Sequence, residues 1–375
     1  MSDQDAAPRA LPQSVLRSAT DKTLLDEIVN RGQTTRAELA TATGISKPTV
    51  SESVRRLVEG GLLAATGPRE TGRRGRIATF YELAETAGWV LAIMLDQSGV
   101  HAWSSNLAGR PLHQHDQPPA GDTSALVGAL RAVTTAATEK AGTAHGPLRA
   151  IAVSVANPVD PTTHEVTALR DSPFPAGLVS PAAALTGTVR APVLVDNDVN
   201  LAALAEHRAG AAAGAASFAY VYVGAGLGLG LYIGDQLIRG AHGLAGEIGY
   251  LPGARSGTLA AELAASGFGR PDAPATDVNA VIRLLDKGSV RAVRVISAAI
   301  ARAVTSVNAV VDPELILLGG PLGTHPALLE PVREAVAAIS PGPTRLAPGT
   351  LGVRAPLHGA THLAVEHARA AALAT

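Results

Sequence analysis

The sequence contains no cysteine among its 375 residues. This absence excludes disulfide bonds, thiolate metal sites and a cysteine nucleophile, and it is compatible with a reducing compartment. An excess of one charge is also missing, because 31 Lys and Arg residues balance 32 Asp and Glu residues to a net charge of −1. The chain as a whole is therefore neither a basic nucleic-acid binder nor an acidic tail protein.

Targeting and membrane signals are scarce as well. The first ten residues carry Asp3, Asp5 and Arg9 and no apolar stretch, so we expect no secretory signal and a cytoplasmic protein. The long uncharged stretch at residues 209–234 could span a bilayer as a helix, but its many glycines favour strand, turn and strand. We therefore expect no membrane contact. With 46% hydrophobic and 17% charged residues, the chain can bury a large core in two or three domains.

Basic residues concentrate in one N-terminal segment. Residues 46–80 hold seven Lys or Arg residues against three Glu, a local charge of +4 in a nearly neutral chain. A concentration of positive charge in one small domain is typical of a DNA-binding domain joined to a domain that does not bind DNA.

Three short helices are predicted at this end of the chain. Apolar spacing indicates helices over residues 23–29 and 35–43, and Gly44 stops the second. Ser46 is the predicted N-cap of a third helix, with Pro48 in its first turn. The apolar stripe of this third helix consists of Val50, Val54, Leu57 and Val58.

Residues 62–65 and 77–83 are predicted as a hairpin around a basic loop, which completes a winged helix-turn-helix. The third helix of such a domain can lie in the major groove, and the wing arginines can either enter a narrow minor groove or contact phosphates. The alternative is a small helical domain with an ordinary solvated loop. The expected DNA-binding residues are Lys47, Thr49, Ser51, Arg55, Arg73, Arg74 and Arg76.

From Trp89 onward strands alternate with Ala-rich helices, which is typical of an α/β fold. The order of elements suggests two related lobes, each opening with an extended hairpin and closing with helices. Buried strands are predicted at residues 90–95, 150–155, 193–195, 219–223 and 315–318, and helices near residues 124–141, 201–211 and 292–311.

Three segments could carry chemistry. The Gly-rich turn at residues 224–230 lets backbone N–H groups approach a phosphate or a sugar, or it is a plain hairpin. Asp196, Asn197 and Asp198 lie between a strand and a helix, where they could face a cleft or simply cap the helix. Glu247 stands between glycines and is either a ligand contact or a turn residue.

Together these segments resemble the ROK family (repressors, open reading frames and sugar kinases), with matching order and spacing over roughly residues 88–370. The matching runs are residues 195–200, 222–230, 239–249 and 317–320. With the winged helix in front, the chain resembles the ROK repressors of the xylose and N-acetylglucosamine type. The resemblance implies an actin-like, ribonuclease-H-like sugar kinase fold of two lobes, with sugar bound between them. It predicts a DNA-binding domain over residues 1–85 and a sugar-binding and oligomerisation domain over residues 86–375.

The resemblance also implies roles for individual residues. Asn197 and Asp198 fall on positions that bind sugar hydroxyls, with Asp198 at the position of the kinase general base, and Glu247 and Glu262 fall on sugar-binding glutamates. Carboxylates and amides suit a polyol because each can accept hydroxyl hydrogen bonds. Tyr250 stands in place of a zinc-binding His and either donates a hydrogen bond to the ligand or packs against its lobe.

Both phosphate loops depart from the kinase pattern. Residues 96–100 read Asp-Gln-Ser-Gly-Val in place of Asp-x-Gly-Gly-Thr, and Ala225 replaces a Thr. Because phosphoryl transfer depends on positioning and charge neutralisation, we expect no kinase activity and only a vestigial base at Asp198. Without the family's Cys cluster and His, we expect no structural zinc, no other metal and no cofactor.

The leading interpretation is a sugar-responsive DNA-binding regulator, a repressor of carbohydrate utilisation genes that a bound sugar releases from DNA. Its expected partners are a double-stranded DNA operator, a sugar or sugar phosphate effector, and further copies of itself in a homodimer or homotetramer. The alternative is a sugar kinase that retains a DNA-binding domain, which Asp198 favours. A DNA-binding protein with an empty cleft is the third hypothesis, and the retained polar residues Asn197, Asp198, Glu247 and Glu262 argue against it.

Overall fold

The computed structural model describes residues 13–71, 76–170, 172, 174–254, 257–271 and 275–374. They form an N-terminal head, residues 13–83, followed by two α/β lobes that each contain a five-stranded sheet. The first lobe comprises the sheet within residues 89–197 and the C-terminal helix, and the second lobe comprises residues 217–348. A short helical turn, Glu85–Ala87, connects the head to the first lobe.

The head consists of three helices and a small antiparallel sheet of order β1-β3-β2. This arrangement confirms the predicted winged helix-turn-helix. Its elements are α1 (Gln13–Arg31), β1 (Thr34–Thr35), α2 (Arg36–Thr43), α3 (Lys47–Glu59), β2 (Leu63–Thr71) and β3 (Arg76–Leu83).

Local capping signals fix the ends of the short helices in the head. Thr35 and Glu38 form a capping box at the start of α2, and Gly44 ends that helix in the left-handed region with φ of 70°. The predicted cap of α3 is confirmed, because the Ser46 hydroxyl accepts a hydrogen bond from the Thr49 N–H at 3.4 Å.

Helix α1 is longer than its apolar pattern indicated, since it begins at Gln13 and not near residue 23. Its first turns lack a continuous apolar stripe, and Leu16 is exposed. Asp21 instead holds this part of α1 against α3 through the Ser53 hydroxyl and the Arg56 guanidinium. A polar contact of this kind has no helical period, so the sequence pattern missed it.

The first lobe is built on a sheet of order β6-β5-β4-β7-β8. The first three strands are antiparallel, and β7 and β8 then add in parallel. Its elements are β4 (Trp89–Asp96), β5 (Gly99–Asn106), β6 (Pro111–Gln117), α4 (Thr123–Ala141), β7 (Leu148–Val155), α5 (Pro181–Leu185) and β8 (Val193–Asn197).

Helix α6 (Asp198–Ala209) leads into the second lobe, whose sheet has the order β11-β10-β9-β12-β13. Both sheets therefore repeat one arrangement of three antiparallel and two parallel strands, which confirms the two related lobes and the ribonuclease-H-like fold. The elements are β9 (Ser217–Val223), β10 (Leu227–Ile233), β11 (Gln236–Ile238), α7 (Leu259–Leu263), α8 (Val278–Asp286), α9 (Val290–Val311), β12 (Leu315–Gly319), α10 (Gly320–Gly323), α11 (Leu329–Ala337) and β13 (Leu346–Pro348).

The C-terminal helix α12 (Ala355–Leu373) returns to the first lobe, where it packs against β4, β7 and α6. Its buried face includes Leu357, Ala364 and Ala368 and joins a hydrophobic core that also contains Leu24 and Ile28 of the head. The head and the first lobe thus share one continuous core.

The uncharged stretch at residues 209–234 contains the β9–β10 hairpin, as its glycines indicated. Within the described part of the chain, α9 is the helix long and apolar enough to cross a membrane. Half of its apolar window is buried inside the protein, which is typical of a core helix.

Candidate sugar-binding cleft and DNA-binding face

The structure places Asn197 and Asp198 where β8 passes into α6. The Asn197 side-chain oxygen accepts hydrogen bonds from the N–H groups of Val199 and Asn200 at 2.9 and 3.2 Å, so this residue caps the helix. Its side-chain amide donates to the Asn157 carbonyl at 3.2 Å. Asn197 therefore fixes the strand-to-helix turn that presents the neighbouring Asp198.

Two carboxyl groups from separate segments, Asp96 and Glu247, lie close enough to Asp198 to affect its pKa. Burial, and next the negative charges of Glu247 and Asp96, raise the pKa of Asp198 to about 7 against the lowering effect of a hydrogen bond from the Val199 N–H. Burial also raises the pKa of Glu247 to about 7. Asp96 ends β4, Asp198 begins α6, and Glu247 lies after β11, so both lobes contribute to this carboxyl cluster.

The carboxyl cluster, defined as Asp96, Asp198 and Glu247, has the chemistry to hold a polyol. Two of its members, Asp198 and Glu247, are half-buried, and the pKa of each is raised towards neutrality. A protonated carboxyl donates a hydrogen bond and an ionised one accepts two or more, while each sugar hydroxyl can do both. The cluster can therefore pair with hydroxyl groups without forcing a buried charge to remain unpaired.

A glycine turn positions Glu247. Gly246 has φ of 97°, and a Cβ atom at this position would lie 1.9 Å from the Leu229 carbonyl oxygen. Gly243, three residues earlier, has φ of 73°, and a Cβ there would lie 2.1 Å from the Val159 carbonyl oxygen in the first lobe. The loop thus requires glycine at both points to cross from the second lobe and bring Glu247 to Asp198.

An ion pair between the lobes lies directly behind this site. The buried Asp196 carboxylate accepts hydrogen bonds from Arg239 Nε at 3.0 Å and Nη2 at 2.6 Å. Arg239 follows β11 in the second lobe, and Asp196 is the penultimate residue of β8 in the first. Asp196, which the sequence suggested as a residue facing the cleft or capping the helix, instead pairs with Arg239, for which no role was predicted. The sequence offered one signal for this ion pair, a carboxylate near the end of a strand predicted to be buried. A buried carboxylate requires a positively charged partner.

The remaining predicted sugar residues lie further along the second lobe. Tyr250 is 40% exposed in the short turn after Glu247. Glu262 lies on α7, where its carboxylate accepts from Arg302 Nη2 at 3.1 Å and from the Ala254 N–H at 2.5 Å. Both Glu262 oxygens therefore have partners within the second lobe.

The first phosphate-loop segment is closed by its own hydrogen bonds. Asp96 Oδ1 accepts from both the N–H and the hydroxyl of Ser98, at 2.7 and 2.5 Å. The Ser98 hydroxyl also lies 2.9 Å from His101 Nε2, and His101 Nδ1 lies 2.5 Å from Asp116 Oδ1. The Ser98 N–H and hydroxyl, the donors that a phosphate-binding loop would offer to a phosphate, therefore donate to the Asp96 carboxylate.

The second phosphate-loop segment faces a cavity of about 370 Å³ between the lobes. Arg270 donates to the Gln97 side-chain oxygen at 3.0 Å across this gap, and the Ala225 carbonyl accepts from the Thr276 N–H at 2.9 Å. The cavity is lined by Gln97, Ala225, Arg270, Pro271, Thr276, Asp277, Val278 and Asn279. Among the residues that the structure describes, no group of three His, Asp or Glu side chains is arranged to hold a metal ion.

The candidate DNA-binding face is the outer surface of α3. Lys47, Thr49 and Arg55 are exposed and Ser51 is partly buried, opposite an apolar stripe that packs into the head. Arg56 faces inward and pairs with Asp21. Of the predicted wing residues, Arg73 and Arg74 lie outside the described residues, and Arg76 begins β3 with a side chain that is also outside them.

Comparisons with known proteins agree with this architecture. The ROK family model matches residues 104–367, and the MarR family model matches residues 18–74. The xylose repressor of Bacillus spizizenii is 24% identical over an alignment of 382 positions that spans 95% of this chain and 97% of that protein.

Solved structures show the same fold. A ROK family transcriptional regulator, described as a homologue of the E. coli Mlc protein, superposes with a TM-score of 0.71 at 18% identity and covers 96% of this chain and 98% of its own. A ROK glucokinase from Streptomyces griseus, in complex with glucose and AMPPNP, superposes with a TM-score of 0.60 at 21% identity, covering 74% of this chain and all of its own.

A more similar but shorter match is the bifunctional enzyme NanE/NanK of Brucella melitensis. It is 36% identical over 159 residues, which cover 40% of this chain and 30% of the enzyme. The shared region is therefore less than a third of that enzyme. Because the ROK model matches well over half of the sequence, the chain belongs to the ROK family.

Proposed function

We propose that the protein is a sugar-responsive DNA-binding regulator, a repressor of carbohydrate utilisation genes that a bound sugar releases from its operator. The main support for this proposal is that one chain contains two parts. The first is a winged head with an exposed polar face on α3, and the second is a two-lobed body with the carboxyl cluster between its sheets. Similarity to a xylose repressor over 95% of the chain supports this assignment. A regulator of this kind acts in the cytoplasm.

The proposed DNA contacts are made by α3 and by the wing. Lys47, Thr49, Ser51 and Arg55 reach base edges or phosphates in the major groove, and Arg73, Arg74 and Arg76 act from the wing. A homodimer or homotetramer would carry two heads to a palindromic operator, because half-sites must match the spacing of the heads.

The proposed effector site comprises Asn197, Asp198, Glu247, Tyr250 and Glu262. Asp198 and Glu247 contact hydroxyl groups, and Asn197 holds the turn that presents Asp198. The acidic character of the carboxyl cluster favours a neutral sugar over a sugar phosphate, since an added phosphate charge near these groups would be repelled.

A sugar kinase is the alternative function, and Asp198 at the position of the general base is the observation that favours it. The Ser98 hydrogen bonds to Asp96 oppose this alternative, because an N–H already satisfied by a carboxylate is not available to an ATP phosphate. We therefore propose that the protein is not an enzyme. An ATPase assay with Mg²⁺ and each test sugar decides this point, and sugar-dependent ADP release would establish the kinase.

The regulator function is tested with the full-length protein and a labelled DNA fragment from upstream of its own gene. Fluorescence anisotropy is measured while D-xylose, D-glucose, N-acetylmannosamine and their phosphorylated forms are added. We expect one neutral sugar to lower DNA affinity. DNA binding that no compound in a wide sugar panel changes would contradict a sugar-responsive regulator, and absence of DNA binding would contradict any regulator.

A further inference from the structure

Helix α12 connects the helix that follows the candidate sugar site to the DNA-binding head. One side of it packs along α6, the helix that begins at Asp198, and it also contacts α1 of the head. The same hydrophobic core contains Leu357 and Ala368 of α12 together with Leu24 of α1. Movement of α6 therefore cannot be independent of α12, because close-packed helices shift as units.

Arg369 is the polar connection at the head end of α12. Its Nε donates to the Leu107 carbonyl of the first lobe at 2.7 Å, and its Nη1 donates to Asp26 Oδ1 on α1 at 3.2 Å. The Arg369 side chain is only 18% exposed, and burial lowers its pKa while Asp26 raises it. One guanidinium thus joins the first lobe, α12 and the head in a poorly solvated position, where charge-assisted hydrogen bonds are strong.

Helix α1 carries this connection to the DNA-binding face. Five residues before Asp26, the Asp21 carboxylate holds Arg56 of α3, with Nη2 to Oδ1 at 2.6 Å and Nε to Oδ2 at 3.1 Å. The same carboxylate accepts from the Ser53 hydroxyl. The inner face of α3 is therefore tied to α1, while its outer face presents the candidate DNA contacts.

The other end of the connection begins at the sugar site. Helix α6 starts at Asp198, and in its last turn Arg208 pairs with Glu366 of α12 at 2.7 Å. Glu366 lies three residues before Arg369, on the neighbouring turn of the same helix. Three ion pairs thus connect four helices in series, from α6 through α12 and α1 to α3.

We propose that this series is the route by which ligand occupancy reaches the DNA-binding face, and that Arg369 is the positioning residue that holds the head on the first lobe. The inference rests on the proposed function. A sugar bound at Asp198 displaces the start of α6, α12 moves with it, and Arg369 passes the displacement to α1 through Asp26. The apolar packing transmits the movement, and the ion pairs fix its direction, since exposed pairs such as Arg208–Glu366 alone contribute little energy.

The test compares Arg369→Met and Asp26→Asn with a matched control, Arg333→Met. Arg333 also donates to a carbonyl, that of Leu346, and to a carboxylate, that of Glu330, but it lies in the second lobe. Methionine keeps the apolar stem of the arginine and removes its donors, and Asp26→Asn breaks the same pair without altering the buried core.

Two quantities are measured on the full-length variants. The first is amide hydrogen exchange in α1, which we expect to accelerate about tenfold in Arg369→Met and Asp26→Asn and to remain unchanged in Arg333→Met. The second is the coupling ratio, the Kd for upstream DNA with saturating sugar divided by the Kd without it, for whichever of D-xylose, D-glucose or N-acetylmannosamine acts on the wild type. We expect a wild-type ratio of about 5 to 150. In Arg369→Met and Asp26→Asn this ratio should fall to within about twofold of 1, while the sugar affinity of both variants is retained.

The outcomes separate the two proposals. Unchanged amide hydrogen exchange in α1, or an unchanged coupling ratio, in Arg369→Met and Asp26→Asn would overturn the proposed route from the sugar site to the DNA-binding face. The proposed regulator function would still stand. If Arg369→Met fails to fold, Asp26→Asn alone decides between these results. A wild-type protein whose DNA binding no sugar affects would overturn the regulator function and, with it, the signal that the relay is proposed to carry.

Discussion

Replacing a predicted ligand-binding carboxyl should make the protein more stable. Burial raises the pKa of Asp198 from 3.8 to about 7, so the folded protein binds this proton more tightly than the unfolded chain does. The resulting contribution to stability is fully present below about pH 4 and is lost as the pH rises towards 7. Above that value the folded protein carries an ionised carboxylate that its surroundings disfavour. The variant Asp198→Asn has no carboxylate to ionise and therefore avoids this free-energy cost.

The size of the effect follows from the difference between the two pKa values. A pKa change from 3.8 to about 7 corresponds to a free energy of about 4 kcal/mol, because each pKa unit is equivalent to about 1.36 kcal/mol. This figure is an upper bound, because Glu247 titrates in the same range and takes up part of the proton equilibrium. We expect Asp198→Asn to gain about 2 kcal/mol over the wild type between about pH 5 and pH 8.5.

Urea unfolding of both proteins at these two pH values measures the effect. Asp196→Asn is the matched control, since the neighbouring Asp196 is a buried carboxylate that pairs with Arg239. That substitution leaves the arginine facing an uncharged amide and should destabilise the protein at both pH values. An Asp198→Asn variant that gains no stability relative to the wild type as the pH rises would refute the interpretation of the carboxyl cluster.

Three further predictions concern the core, the DNA-binding face and the Glu247 turn. Glu206→Ala should destabilise the protein by about 3 kcal/mol or more in urea unfolding, because buried Glu206 accepts bonds from the N–H groups of Ala211, Thr350 and Leu351 at 2.8 to 2.9 Å. Arg55→Ala should weaken binding to upstream DNA by about 1–3 kcal/mol in anisotropy titrations. Gly246→Ala should lower sugar affinity about tenfold or more by calorimetry without changing DNA affinity, because the new Cβ would displace the Glu247 turn.

Each of these has its control in the same chain. Glu330→Ala removes an exposed carboxylate and should change stability by less than about 0.5 kcal/mol. Arg294→Ala removes an exposed arginine of the second lobe and should leave DNA affinity unchanged. Gly234 also has a positive φ, of 56°, but open space around its Cβ, so equal losses of sugar affinity in Gly234→Ala and Gly246→Ala would contradict the steric argument.

The local elements of this protein could be predicted because their signals are local. Caps at Ser46 and Gly44, the α3 stripe and the mainly apolar, buried runs of β4, β7 and β12 lie within one element each. The repeated order of strands then led to the two-lobed fold, which the structure confirms.

The long-range polar contacts could not be predicted in the same way. Asp196 and Arg239 are 43 residues apart, and Asp26 and Arg369 are 343 apart, so no periodicity joins them. The return of α12 to the first lobe likewise depends on packing between distant segments. At the candidate site, resemblance named the residues, but the cap formed by Asn197 and the Arg302 partner of Glu262 emerge only from the assembled geometry.

The most direct test of the account is a DNA-release titration of the wild type beside Asp198→Ala. The labelled upstream fragment is bound by each protein, and the sugar that acts on the wild type is added while anisotropy is recorded. We expect equal DNA affinity for both proteins without sugar, and release from the wild type but not from Asp198→Ala. Release of both proteins at the same sugar concentration would contradict the assignment of the effector site to the carboxyl cluster.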